Sequence, residues 1–227
     1  MFALDHVIPW GRSLDEYRRM FALSDADLQR RIVDCGAGPA SFNVEATRVG
    51  AHVISCDPLY QCEADEIRER IAATYDTVLA ETRRNHDDFV WGAIASVDEL
   101  GAIRMAAMDT FLADYTMGRM AGRYVEAALP VLPFLDASFD IALCSHLLFL
   151  YTEHLDDTFH FLAVREMCRI AADVRIFPLL SLGGGPSRYV DPIAQVFTHL
   201  GFTVAIEKVA YEFRRGGNEM MRIARRA

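Results

Sequence analysis

Arg31-Ile-Val-Asp34-Cys-Gly36-Ala-Gly38-Pro-Ala40 is the stretch whose reading decides the fold. A short apolar run ends in Asp-x-Gly-x-Gly, and the two glycines let the backbone turn sharply with no Cβ in the way of a neighbour. A second apolar run, Val53-Ile-Ser-Cys56, ends in Asp57, nineteen residues beyond Gly38. Two apolar strands, the first followed by a glycine turn and the second closed by an acid, are how a doubly wound α/β sheet writes a nucleotide-type site.

Working outward, strand one is Arg31–Asp34, a helix follows over Ser41–Arg48 with Gly50 just past its end, and strand two is His52–Cys56. Upstream, Leu14 to Ala22 reads as a helix with Ser13 as N-cap and Glu16 at the third position of a capping box. Ser24-Asp-Ala-Asp27 begins a further turn or short helix. Residues 1–30 are thus expected to form an N-terminal helical lid. Downstream, more than sixty residues separate Asp57 from the next strand, Arg123–Ala127. Ile67, Ile71, Tyr75, Val78, Leu79 and Thr82 recur at helical spacing there, and two shorter helical stretches follow near Val97–Met105 and Ala107–Arg119. Residues 61–122 therefore read as a helical insertion whose methionines fill gaps between helices.

Alternation then resumes with strand four at Ile141–Ser145, a helix over Leu155–Ala171, strand five at Val174–Leu180 and a helix over Asp191–Leu200. Thr203–Phe213 and Glu219–Arg226 flank Arg214-Arg-Gly-Gly-Asn218, which is hairpin chemistry, with both arginines expected in a solvated turn. The expected fold is α/β: a doubly wound, mostly parallel seven-stranded sheet with a C-terminal antiparallel hairpin and a helical insertion after strand two. One domain, 1–227, accommodates all of it.

Composition narrows the partners. The chain has 227 residues, 52% of them apolar, and a net charge of −9. That field repels phosphate backbones and anionic headgroups, so nucleic acid and membrane are not the expected partners. No apolar run reaches the length of a membrane span, and the N-terminus has no basic region ahead of an apolar one. The five cysteines are scattered without Cys-x-x-Cys or Cys/His spacing, which reads as buried thiols in a reducing, cytoplasmic compartment with no metal site.

Four elements together, Val33-Asp34-Cys-Gly36-Ala-Gly38, Ser55-Cys-Asp57-Pro, Leu132-Pro-Phe-x-Asp136-x-Ser-Phe139-Asp140 and the closing hairpin, resemble a class I S-adenosylmethionine-dependent methyltransferase across most of residues 30–227. The resemblance implies S-adenosyl-L-methionine as cofactor and transfer of its methyl group; the net charge of −9 favours a small-molecule, or else a protein, acceptor over nucleic acid, and self-association as a homodimer stays open. The resemblance also implies that Asp34 and Gly36 place the methionine end. Asp34 suits a ligand bearing an ammonium and a sulfonium, where it would repel a pyrophosphate. Pro39 and Ser41 also break the Gly-x-Gly-x-x-Gly fingerprint of a nicotinamide site. A non-catalytic cofactor-binding protein is the main alternative, and a nicotinamide-dependent oxidoreductase a remoter one.

Asp57 can accept from both ribose hydroxyls, and Pro58 packs beside adenine; the competing reading of Asp57 is a helix N-cap or turn aspartate before Pro58. The family often places an acid after strand three to read adenine, but Ala128 stands there, so either Glu126 or the backbone near Leu129 is expected to take over. Ser145 is expected to contact the amino group, and His146 is the candidate general base, against the competing reading of a cap or core histidine. Trp10, Arg12 and Tyr17 are expected to cover the cofactor or clamp an acceptor carboxylate.

Overall fold

The apolar run before Asp34 forms a strand with four of its five residues buried, and the sheet grows on both sides of it. The computed structural model describes residues 8–225. Its strands are β1 (Arg31–Cys35), β2 (His52–Cys56), β3 (Tyr124–Val125), β4 (Phe139–Ser145), β5 (Ala171–Phe177), β6 (Phe202–Lys208) and β7 (Glu219–Arg225). They lie in the order β3-β2-β1-β4-β5-β7-β6, parallel from β3 through β5, with β7 antiparallel to both neighbours. The expected sheet is therefore present. Order reverses between β1 and β4, so a crevice opens beyond their carboxyl ends.

The helices are α1 (Leu14–Phe21), α2 (Asp25–Leu28), α3 (Phe42–Arg48), α4 (Ala64–Arg84), α5 (Val97–Met120), α6 (Asp157–Ile170) and α7 (Val190–His199). Ser13 with Glu16 and Ser24 with Asp27 form reciprocal capping boxes, as their spacing predicts. On one face Ile32, Ile141 and Leu143 pack under α1 and α3; on the other, Val33, Ala142, Cys144 and Val174 pack under α6 and α7. Among the described residues no helix is long and apolar enough to cross a membrane.

Several boundaries differ from the sequence reading: strand three shrinks to Tyr124–Val125, strand four starts earlier, at Phe139, and three shifts are larger. The two stretches at 97–119 are one 24-residue helix, because Ala106 and its neighbours carry no breaker between them. Strand five begins at Ala171, which already caps α6 in extended conformation, so Pro178 falls outside the strand and takes no ladder bond from it. Strand six stops at Lys208. Residues 209–218 leave the sheet to pair with the insertion: Val90 N–H donates to the Phe213 carbonyl at 2.8 Å and Arg215 N–H to that of Asp88 at 2.9 Å. Arg214 is accordingly half-buried against Phe89 and pairs with Asp88 at 3.1 Å, where a solvated turn was expected. Residues 1–7 of the lid and position 226 of the last strand lie outside the described residues.

The insertion docks on the sheet edge through Gly118. A Cβ there would stand 2.3 Å from Cε2 of Tyr124 on β3, a contact no side chain tolerates. Overpacking of this kind costs about 1–3 kcal/mol. Gly118→Ala should lower unfolding free energy by that amount in urea titrations, with an unchanged slope; an unaffected midpoint would show that the edge contact is dispensable.

Candidate functional site

Asp57, at the carboxyl end of β2, holds the glycine turn shut. Its Oδ2 accepts from Gly38 N–H at 2.9 Å and its Oδ1 from Leu59 N–H at 2.8 Å, so it caps the 3-10 turn Pro58–Gln61. The turn-aspartate reading is thus true, and the carboxylate still offers further lone pairs to the cavity it lines. Burial pushes its pKa up, against both of these hydrogen bonds. Gly36 and Gly38 take φ of +71° and +56°, as the turn demands. Gly36 and Ala37 N–H both point at the Cys56 carbonyl, at 2.9 and 3.3 Å. The turn's three N–H groups are therefore spent on protein acceptors, and the loop presents no row of free donors to a phosphate.

Asp34 ends β1 with no exposure at all. Its Oδ2 accepts from the Tyr17 hydroxyl at 2.9 Å, while its Oδ1 is buried without a partner. Burial pushes the carboxyl up to about 8, the Tyr17 hydrogen bond pulls the other way, and the nearby Asp57 charge adds to the rise. Tyr17 is itself fixed by stacking on Phe42, ring centres 4.1 Å apart and planes within 5°.

A cavity of about 740 Å³ lies over these strand ends. Of the residues singled out in the sequence, Gly36, Gly38, Asp57, Pro58, Leu129, Ser145, His146, Trp10, Arg12 and Tyr17 are all on its wall. Asp34 is one layer behind, screened by Tyr17. Ala127, Ala128 and Leu129 form an apolar wall opposite Pro58, and Glu126 is exposed and not part of it, so no acid stands in for Ala128.

Ser145 Oγ and His146 Nδ1 are 2.9 Å apart at the end of β4, and the His146 backbone sits at φ +54°. Burial foremost, then the charges of Arg12 and Arg104, hold His146 well below its ordinary pKa, so its imidazole is neutral at pH 7.

The insertion supplies what the sequence left unsignalled. The Tyr115 hydroxyl on α5 lies 2.9 Å from the carbonyls of both Tyr60 and Cys62 and shares its one proton between them, and Tyr60 donates to the Gly38 carbonyl at 2.7 Å. Arg104, also on α5, is 1% exposed and pairs with Glu16 on α1 at 2.6 Å, with the Tyr211 hydroxyl 3.3 Å away. Burial would raise the Glu16 pKa, but the charge and hydrogen bond of Arg104 overcome it and hold the carboxylate down at about 2. A single arginine among apolar helix residues carries no sequence mark of such a role.

Two outcomes follow. Because the folded state holds a proton on Asp34 that the unfolded chain releases above its ordinary carboxylate pKa, stability falls as pH rises toward about 8, by up to about 1.4 kcal/mol per pH unit. Asp34→Asn should flatten that slope in thermal melts at pH 5 to 8; an unaltered slope would assign it elsewhere. Arg104→Met leaves Glu16 charged and buried and should cost about 3–5 kcal/mol, most of it regained in Glu16→Gln/Arg104→Met. Additive losses in the double variant would deny the coupling.

No family model matches the chain. Among solved structures, the pyocyanin biosynthetic protein PhzM shares its fold at a TM-score of 0.51 and 14% identity, over 94% of this chain and 54% of that one. Magnesium protoporphyrin IX methyltransferase from Synechocystis PCC 6803, solved with bound S-adenosylmethionine, superposes at 0.48 and 13% identity, over 89% of this chain and 73% of that one. In sequence, the uncharacterized protein MJ0045 of Methanocaldococcus jannaschii is 34% identical over 223 residues, 98% of each chain. The seven-stranded sheet is that of the class I methyltransferases, and the chain belongs to one family with MJ0045.

Proposed function

We propose that the protein is an S-adenosylmethionine-dependent methyltransferase acting on a small-molecule acceptor, with the cofactor bound where β1, β2 and β4 end. The observation that carries this reading is the chemistry of the glycine turn. Its N–H groups are tied off, and beside it stands a buried carboxyl, Asp34, with one oxygen unpaired. Such a turn disfavours a pyrophosphate and suits a cation, which supports adenosylmethionine over a nicotinamide cofactor. The net charge of −9 supports a small acceptor over a nucleic acid.

When bound, adenosylmethionine supplies a methyl group already activated on a sulfonium. The chain's part is to hold and align. Asp57 has lone pairs left for a vicinal diol, Pro58 and Leu129 offer an apolar slot for a base, and Tyr17 relays Asp34 to the cavity wall. His146, neutral and tethered to Ser145, can accept an acceptor's proton at Nε2 while Nδ1 stays engaged, although its lowered pKa makes it a weak base. Alignment at near-attack distance is worth up to about 7–11 kcal/mol and does not depend on that proton.

Calorimetry tests the reading. S-adenosylhomocysteine should bind and NAD should not. Affinity should rise between pH 6 and 7.5, because the ligand's ammonium favours Asp34 in its ionised form. Asp57→Asn should weaken S-adenosylhomocysteine and 5′-methylthioadenosine alike, roughly 10- to 100-fold, since both carry the ribose diol. Tight NAD binding with no response to S-adenosylhomocysteine would sink the proposal, and methyl transfer to a panel of small acceptors separates an enzyme from a binding protein.

A further inference from the structure

The cavity wall is chemically mixed. Carboxylates gather at the sheet end, with Asp57 on the wall and Asp34 behind it. The same cavity is also lined by Val78 and Leu100 of the insertion, by Leu150, Leu182 and Phe213, and by two arginines, Arg12 and Arg104. The two arginines differ in one respect. Arg104 is neutralised by Glu16 at 2.6 Å. Arg12 has no carboxylate within ion-pair distance among the described residues. Its Nη1 donates to the Trp10 carbonyl at 3.0 Å, and its Nε is buried with no acceptor. Burial and the like charge of Arg104 both press its pKa down, yet a guanidinium in a protein stays protonated. An unanswered cation in an apolar chamber is costly, and a ligand anion removes the cost.

We propose that the methyl acceptor is an apolar small molecule bearing a carboxylate, and that Arg12 is the residue that holds that carboxylate in the cavity. This rests on the methyltransferase reading above. The fork of a guanidinium suits a carboxylate two-point contact, and the apolar wall suits an aromatic or branched aliphatic body. The cofactor's own methionine carboxylate is the other source of the same chemistry. Arg12 acts electrostatically on His146, Tyr151 and Tyr211, and also on Tyr17, which donates to Asp34, so the two sources are told apart by the titrations below.

The test uses the full chain saturated with S-adenosylhomocysteine. Benzoate, 3-phenylpropionate and 4-methylvalerate are titrated calorimetrically, each against its primary amide. The expected result is at least one carboxylate bound ten or more times tighter than its amide, a preference that Arg12→Gln abolishes and Arg12→Lys keeps in part. S-adenosylhomocysteine affinity should stay within twofold in Arg12→Gln, and its melting temperature should not fall, since an uncompensated charge has been removed. Absence of any carboxylate-over-amide preference overturns the proposal. So does a loss of S-adenosylhomocysteine affinity in Arg12→Gln with 5′-methylthioadenosine unaffected, because the guanidinium would then serve the cofactor. Failure of the wild-type protein to bind S-adenosylhomocysteine at all would instead overturn the methyltransferase reading.

Discussion

The buried pair between Glu16 and Arg104 is the constraint on which the site's shape depends. It joins α1, the insertion helix α5 and, through Tyr211, the connection before β7, three segments remote from one another in the chain. Glu16 serves twice, accepting from Ser13 N–H at 3.1 Å in the capping box while it pairs with Arg104. The start of α1 is therefore locked to the insertion, and with it Tyr17, one residue on, is held over Asp34. Such pairs contribute little net stability against a well-packed apolar substitute, but they punish every arrangement that leaves either charge alone. Here that specificity sets where α1 and the insertion meet beside the cavity.

Asp57 plays the matching part on the sheet side. By accepting from Gly38 and Leu59 it fixes the glycine turn and the 3-10 turn as one unit, which Tyr60 and Tyr115 then brace from the insertion. The insertion is thus part of the site rather than an appendage. Its Phe111 and Tyr115 pack with Tyr60 of the 3-10 turn and Tyr124 of β3 in stacked, tilted and edge-on contacts, an arrangement that resists sliding. A rigid turn with its N–H groups inward has lost the anion-binding use of a helix N-terminus.

Local chemistry explains what could be read in advance. Asp34, Gly36, Gly38 and Asp57 were legible because a strand, a positive-φ turn and a strand-end acid impose residue types at fixed short spacing. The capping boxes at Ser13 and Ser24 were legible for the same reason. Arg104 was not: its partner is 88 residues away, and nothing in a helical periodicity distinguishes a buried arginine from a solvated one. Arg214 misled for a related cause, since Arg214-Arg-Gly-Gly-Asn has tight-turn composition, while the pairing of residues 209–218 with the insertion is a tertiary choice. The start of strand five moved because α6 passes into β5 through Ala171 with no loop residues to announce the change. Asp34 lies one layer back from the cavity wall, with the Tyr17 hydroxyl on its carboxylate, a layering that no linear pattern encodes.

His146 shows how the charge layout bears on the proposed chemistry. A general base works best with a pKa near the working pH. The imidazole is buried and faces two guanidiniums, which pushes it far the other way. One of those guanidiniums is paired with Glu16; the other, Arg12, has no carboxylate within ion-pair distance among the described residues. An acceptor carboxylate on Arg12 would remove part of the repulsion that keeps the ring neutral and so restore some basicity when the acceptor is in place. Burial, the larger cause, would persist. The balance of these effects puts alignment first and proton transfer second, which fits a reaction whose methyl donor arrives already activated.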